Sequence, residues 1–391
     1  MDSDTLPAMD AGKKRFGLTT TAWKTILGLF LVTRLFLTGV GVASRELIEP
    51  VRKKPYGWVY SDYLHLDVWG VWDTGWYLGI ARRGYPATTP ELPDIRDVKW
   101  SRNYGFLPLY PLTIFLLHLV TGRYFLSALL ASNLSLLVVA ALLYRMAEER
   151  GGPLLARNTM VALFFFPASF ILSGGFSESL CLALLLGCFA LADRDRWGWV
   201  GVLGFLLALC RPIGVVMVIP LGMKWLARYR RLHPGVLFLG LIPAGLVFWS
   251  AFCYFRTGDW LAVPHVKERF WGAGFYNPFA NLWDWVLHDS PGIRLNAIFG
   301  FLLLFLVLVL LLRRRWIEVV TCLLLLLVPI GGGGIGQATG ILRFSVMLFP
   351  LYVLLGEVLE NERLARWLTP CLGVIQGFLM VTWANGLHFI V

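Results

Sequence analysis

The sequence predicts an all-α polytopic membrane protein, and two observations lead there. Of its 391 residues 57% are hydrophobic and only 15% charged, where a soluble domain carries about 25% charged residues. Apolar runs also recur along the whole chain, and most approach the roughly 20 residues that a helix needs to cross a hydrocarbon core of about 30 Å. Inside lipid the backbone must satisfy its own hydrogen bonds, so repeated runs of this length mean helices. The 17 tryptophans suit rings placed at the two membrane interfaces.

The runs cover about 20–44, 124–145, 156–174, 177–192, 197–211, 213–227, 235–254, 294–312, 316–332, 343–358 and 370–390. The first is too long for a cleavable leader and contains Arg34, so it reads as a retained transmembrane helix. A further segment, 106–120, is shorter and opens with Pro108 and Pro111. Basic clusters decide how to treat it. They are Lys13/Lys14/Arg15, Arg145/Arg150/Arg157, Arg194/Arg196, Lys224/Arg228/Arg230/Arg231, Arg313/Arg314/Arg315 and Arg363/Arg366. With the N-terminus cytoplasmic and 106–120 dipping into the membrane without crossing, every cluster falls on the cytoplasmic side, as positively charged loops do. The expectation is about 11 transmembrane helices plus a re-entrant or surface-lying segment, within a single integral membrane domain over 1–391. A large loop at 45–123, a second at 255–293 and the glycine stretch 331–342 lie outside.

The net charge of +11 does not indicate nucleic acid, because the basic residues sit in short clusters between apolar runs. The six cysteines lie in or beside apolar runs without metal-ligand spacing, which fits buried small hydrophobes. No phosphate-loop or dinucleotide fingerprint is present, and no histidine and acid pair has metal spacing, so neither a cofactor nor a metal is expected.

The unusual polar residues gather in the outer segments. The first loop carries His65-Leu66-Asp67 and Trp72-Asp73-Thr74-Gly75-Trp76-Tyr77. Carboxylates among aromatic rings suit sugar chemistry, since a ring packs on sugar C–H faces and a carboxylate accepts a hydroxyl proton. An interfacial amphipathic helix reads equally well from the spacing. Ser177-Glu178-Ser179 opens a helix, where a serine caps and Glu178 complements the dipole, or where all three meet a substrate. Arg211, before Pro212, and Arg343 lie on the outer side with no acid beside them in sequence. Each either snorkels or holds a lipid phosphate through its bidentate fork. Arg34, costly inside a span, pairs structurally or touches substrate. His265, Lys267 and Arg269 precede Trp271 in a basic, aromatic stretch that covers a substrate or is merely solvated. Tyr104 and Gln337 complete the candidate substrate contacts.

Taken in order, five blocks resemble the GPI mannosyltransferase II family and its bacterial relatives, polytopic glycosyltransferases of the GT-C class. They are Trp72-Asp73 through Tyr77 to Ile80-Ala81 and Gly84-Tyr85; Phe106-Leu107-Pro108-Leu109-Tyr110-Pro111; Phe166-Pro167-Ala168-Ser169 with Phe176-Ser177-Glu178-Ser179-Leu180; Arg211-Pro212-Ile213-Gly214; and Arg343-Phe344 with Phe349-Pro350. Leu107 replaces an aromatic residue of that pattern, and Leu342 stands where proline is common. The resemblance implies a GT-C fold and transfer of mannose from a polyprenyl-phosphate donor to a hydroxyl of a glycolipid, glycan or protein acceptor. It further implies Asp73 as base with Asp67 as second choice, Arg211, Arg343 or Arg34 at the donor phosphate, and Trp72, Trp76, Tyr77, Ser177, Glu178 and Ser179 near substrate. The expected partners are thus the lipid-linked sugar, the acceptor and membrane lipids. The short loops, and outer loops free of N-glycosylation sites, point to a bacterial plasma membrane with the site facing outward. A lipid or lipid-linked sugar transporter is the rival reading, but it would favour polar residues at helix midpoints in paired halves. A non-catalytic scaffold is a third.

Overall fold

The computed structural model describes residues 17–48, 59–230, 234–333 and 340–387. Among them every regular element is helical. The helices are α1 (Thr20–Leu47), α2 (Leu64–Asp67), α3 (Thr74–Arg83), α4 (Leu109–Thr121), α5 (Tyr124–Phe165), α6 (Glu178–Ala192), α7 (Trp197–Cys210) and α8 (Val218–Tyr229). They continue as α9 (Leu241–Thr257), α10 (Ala262–Trp271), α11 (Pro278–Leu287), α12 (Pro291–Leu312), α13 (Trp316–Gly332), α14 (Ile341–Phe344), α15 (Phe349–Val358) and α16 (Glu362–Ala384). Gln337, Arg231 and the Lys13/Lys14/Arg15 cluster lie outside the described residues.

Each predicted apolar run coincides with helix, but not each is one unbroken span. Five helical stretches are long and apolar enough to cross a membrane, and the pair Ile341–Met347 and Phe349–Val358, bent by 80°, makes a sixth. Shorter apolar helices of 10–17 residues include α4, α6, α7 and α13. The chain is an integral membrane protein. The 42 residues of α5 hold two of the predicted runs, broken where Gly151 and Gly152 leave helical geometry just before Pro153. The run 213–227 opens as a 3-10 turn, Pro212–Met217, because Pro212 has no amide to continue the ladder. Segment 106–120 becomes the 13-residue α4, about 20 Å long at 1.5 Å per residue. That is too short to cross the core.

Helices α5, α6, α7 and α9 pack side by side in series, α15 lies on α5, and α1 rests between α5 and α16. The surfaces left outward are apolar, with Leu31, Val32, Leu35 and Phe36 of α1 and Ile298, Leu302 and Phe305 of α12 all exposed. At one end of the bundle, ion pairs tie the helix termini together. Arg150 meets Glu318 at 2.6 Å, Arg315 meets Glu357 at 3.0 Å, and Arg194 meets Glu149 at 3.2 Å. The basic clusters here join the helices as well as marking their ends. At the other end, loop helices α2 and α3 pack on the main core, while α10 helps form a small second core of Ile95, Tyr104, Leu107, Leu209, Trp249, Cys253, Ala262 and Val266.

Helices α7 and α9 approach closely through glycine. A Cβ at Gly245 would stand 2.5 Å from the Phe205 carbonyl oxygen, and one at Gly201 would stand 2.4 Å from that of Phe238. Backbone cannot yield as a side-chain tip can, so Gly245→Ala should cost about 1–3 kcal/mol, the usual range for overpacking. Thermal unfolding of the purified protein in detergent checks this, and an unchanged midpoint would refute the contact.

Candidate functional site

Four segments far apart in sequence converge where the loop helices meet the bundle. Asp73 precedes α3, Glu178 opens α6, Arg211 ends α7, and Arg343 lies on α14. Arg343 donates from Nε to Glu178 Oε1 and from Nη1 to Asp73 Oδ2, so one guanidinium links two carboxylates. Arg211 Nη1 reaches the same Glu178 Oε1 at 2.6 Å. Phenylalanines form the shelf beneath: Phe176 lies 4.4 Å from the Arg343 guanidinium and Phe344 4.9 Å from that of Arg211. Such faces favour a planar cation.

The local sequence explains each position. Pro212 stops α7, and Gly214 lets the following turn fold back, since a Cβ there would meet the Leu207 carbonyl oxygen at 2.6 Å. The backbone of Gly175 donates to the Trp69 carbonyl at 3.2 Å, pinning the first loop to the turn before Glu178. Tyr77 on α3 donates to or accepts from Ser177 Oγ at 2.8 Å. Its ring is gripped by Phe106 at 5.1 Å and Tyr110 at 4.9 Å, which gives the aromatic residues of the 106–111 block their purpose.

Exposure grades the four charges. The Glu178 side chain is 0% exposed, that of Arg343 7%, that of Arg211 13% and that of Asp73 21%. Glu178 is therefore the sealed anchor and Asp73 the open edge. Asp73 Oδ1 accepts no hydrogen bond among the described residues. Lys267 on α10 lies within electrostatic range of the cluster. Burial, then repulsion from Arg211, pushes its ammonium down to about 8, with Asp73 and Arg343 also within electrostatic range. Two carboxylates thus face three cations, leaving one positive charge without a local partner. Among the described residues no group of three or more His, Cys, Asp or Glu is placed to hold a metal ion.

Other candidates lie elsewhere. Asp67 is buried, held by Arg45 at 2.6 Å and by the amides of Tyr60 and Ser61 at 2.7 and 3.2 Å, which occupies both of its oxygens in structural bonds. Arg34 meets no carboxylate among the described residues. It donates to Ser173 Oγ at 2.8 Å and to the Ser169 carbonyl at 3.0 Å, deep in the bundle. Ser179 donates to the Leu172 carbonyl, and Ser177, at the N-cap of α6, makes no side-chain capping bond. Tyr104 is fully buried in the second core and donates to the Pro86 carbonyl at 2.6 Å, so it lines no site. His265 pairs with Asp259 at 2.8 Å, and Arg269 is exposed. Trp72 adopts a left-handed φ of 49° at the corner that presents Asp73, and Trp76 stacks on Phe106 at 6.2 Å. Sequence reasoning found both carboxylates and both arginines but not that Glu178 joins them. The serines flanking it at a helix start suggested a cap or a substrate contact, neither of which names an ion-pair partner.

No family model and no curated protein sequence matches the chain. Among solved structures, ArnT from Cupriavidus metallidurans in the apo state is similar with a TM-score of 0.52 at 12% identity, covering 87% of this chain and 60% of that one. The same protein bound to undecaprenyl phosphate gives 0.53 at 14% identity, covering 88% and 61%. A weaker likeness, 0.46 at 12% identity, is to an oligosaccharyltransferase of Archaeoglobus fulgidus. The fold is that of the GT-C membrane glycosyltransferases, and the chain spans about three fifths of the ArnT length.

Removing one partner from a buried ion pair leaves an uncompensated charge, which costs about 3–5 kcal/mol. Glu178→Gln, which strips the countercharge from two arginines, should therefore destabilise the fold by about that amount. Denaturation in detergent measures it, and a loss below about 1 kcal/mol would mean that the cluster is not tied through Glu178.

Proposed function

We propose that the chain is a glycosyltransferase that moves mannose from a polyprenyl-phosphate donor to an acceptor hydroxyl on the non-cytoplasmic face of the membrane. The observation that carries this reading is the graded cluster itself, a partly open carboxylate at the mouth of a site floored by buried arginines. The GT-C fold supports it, as does the undecaprenyl phosphate bound by the structurally similar ArnT. The choice of mannose rests on the motif order that resembles the GPI mannosyltransferase II relatives.

Asp73 acts as base. It takes the proton from the acceptor hydroxyl while that oxygen attacks the anomeric carbon. The bond from that carbon to the donor phosphate oxygen breaks, and the electron pair leaves with the polyprenyl phosphate. Negative charge grows on the phosphate, and Arg211, Arg343 and Lys267 are the cations near enough to stabilise it. One displacement inverts the sugar, so a single carboxylate suffices. Glu178 is the positioning residue that holds both guanidinium planes.

Asp73→Asn should lower kcat by about 10²–10⁴-fold, the usual contribution of a general base. Transfer of radiolabelled mannose from polyprenyl-phosphate mannose to mixed membrane lipids, with GDP-mannose as control donor, measures it. A fully active variant removes Asp73 from the mechanism, and no transfer by the wild type removes mannose.

Lys267 supplies the pH dependence. It is an ammonium below about 8 and an amine above, whereas a phosphodiester donor keeps its charge across that range. Raising the pH from 7 to 9 should weaken donor binding by about tenfold, the loss of one charge-assisted hydrogen bond. Lys267→Arg should bind the donor equally at both pH values. A wild-type KM for donor that does not change would exclude Lys267 from the phosphate site.

A further inference from the structure

A cleft of about 320 Å³ is lined by Trp76, Arg96, Asp97, Trp100, Arg102 and Phe270. Two helices connect it to the ion cluster in the same way. Asp73 at the start of α3 belongs to the ion cluster and Trp76, three residues on, to the cleft. On α10, Lys267 lies within electrostatic range of the cluster and Phe270, again three residues on, lines the cleft. A spacing of three puts both residues on one helix face. A molecule seated in the cleft therefore lies about one helical turn from Asp73 along α3 and about one turn from Lys267 along α10.

The lining combines flat rings with positive charge. The Arg102 guanidinium lies 4.6 Å from the Phe270 ring centre, Arg83 lies 4.3 Å from that of Trp100, and Lys99 5.5 Å from the same ring. Arg96 is engaged by Asp94 at 2.5 Å. Arg83, Lys99 and Arg102 pair with no carboxylate among the described residues. Two lining arginines, Arg96 and Arg102, thus face one lining carboxylate, Asp97, with Arg83 and Lys99 packed on Trp100 and Asp94 held by Arg96. Rings alone would suit a neutral sugar. Rings with unpaired guanidinium groups suit a sugar that also carries an anionic group, the ring stacking on Trp76 or Trp100 and the anion meeting Arg102.

We infer that this cleft is the acceptor subsite, and that it takes a sugar bearing a phosphate or carboxylate. The inference rests on the transferase reading of the neighbouring cluster, but the site can be tested without any transfer. Purified full-length protein in nanodiscs is titrated with mannose 6-phosphate and with mannose, and binding is read by saturation-transfer NMR and calorimetry. The charged sugar should bind about tenfold tighter or better, and Arg102→Gln should abolish that preference while leaving mannose binding unchanged. Trp100→Ala should weaken both sugars. Arg211→Gln, in the ion cluster, should leave the preference in place. Adding nanodiscs whose lipid displays a sugar phosphate headgroup distinguishes the source. Competition by the headgroup with Arg102 dependence supports a membrane-borne acceptor, and binding of the free sugar alone supports a soluble one. Equal affinity for the two sugars, or a preference that survives Arg102→Gln, overturns the inference, whether or not the protein transfers mannose.

Discussion

A fully buried carboxylate shared by two guanidinium groups is the constraint on which the site end of this protein depends. Glu178 is sealed from solvent and would be untenable alone in an apolar bundle. Arg211 and Arg343 make it tolerable, and in doing so they fix the end of α7 and the short helix α14 against the start of α6. Because Arg343 also holds Asp73, the same network sets the position of the first loop. Buried ion pairs are weak sources of net stability but strict about geometry. Here the strictness places an open carboxylate beside cations.

The two ends of the bundle use charge differently. At the far end, Arg150, Arg313 and Arg315 share Glu318 and Glu357 in partly exposed pairs that brace helix termini. Such pairs are screened and individually modest. At the site end the charges are fewer and more buried, and aromatic rings replace water around them. Phe176 and Phe344 underlie the arginines while Phe106 and Tyr110 hold Tyr77, so α3 is clamped by ring packing and by its bond to Ser177.

Much of the fold was legible in the sequence because span length is a one-dimensional property. Every apolar run became helix. Breaks at Gly151-Gly152, at Pro212 and before Pro350 were visible as residues, but the 80° angle between Ile341–Met347 and Phe349–Val358 was not, since a proline marks a break without giving its direction. Within the site, Arg211 and Arg343 stood out as positive charges on the membrane side where orientation signals do not want them, and Asp73 as a carboxylate among aromatic rings in a motif that resembles a known family. Their connection did not, because the contacts span 165 and 270 residues and nothing local encodes them. Asp67 and Arg34 show what sequence leaves open. A carboxylate near tryptophans and an arginine in a span look functional in sequence. Only space reveals that Arg45 and backbone amides consume the first and serines consume the second.

The first and last helices also meet near the site. Arg45 of α1 donates to the Ala384 carbonyl at 2.7 Å while holding Asp67, and Trp383 donates to the Val68 carbonyl at 3.2 Å. The loop that bears Asp73 is therefore seated by a helix synthesised long after it. A ribosome adds roughly 5–20 residues per second, so Asp73 waits on the order of 14 to 54 seconds for Arg343 across the 270 residues between them. Glu178 is made within that interval, 165 residues ahead of Arg343, and until Arg343 arrives Arg211 is its countercharge. The bundle's early helices are thus inserted before their charges are balanced, and the nascent chain depends on water at the membrane boundary, or on the insertion machinery, to shelter a carboxylate that the finished protein buries completely.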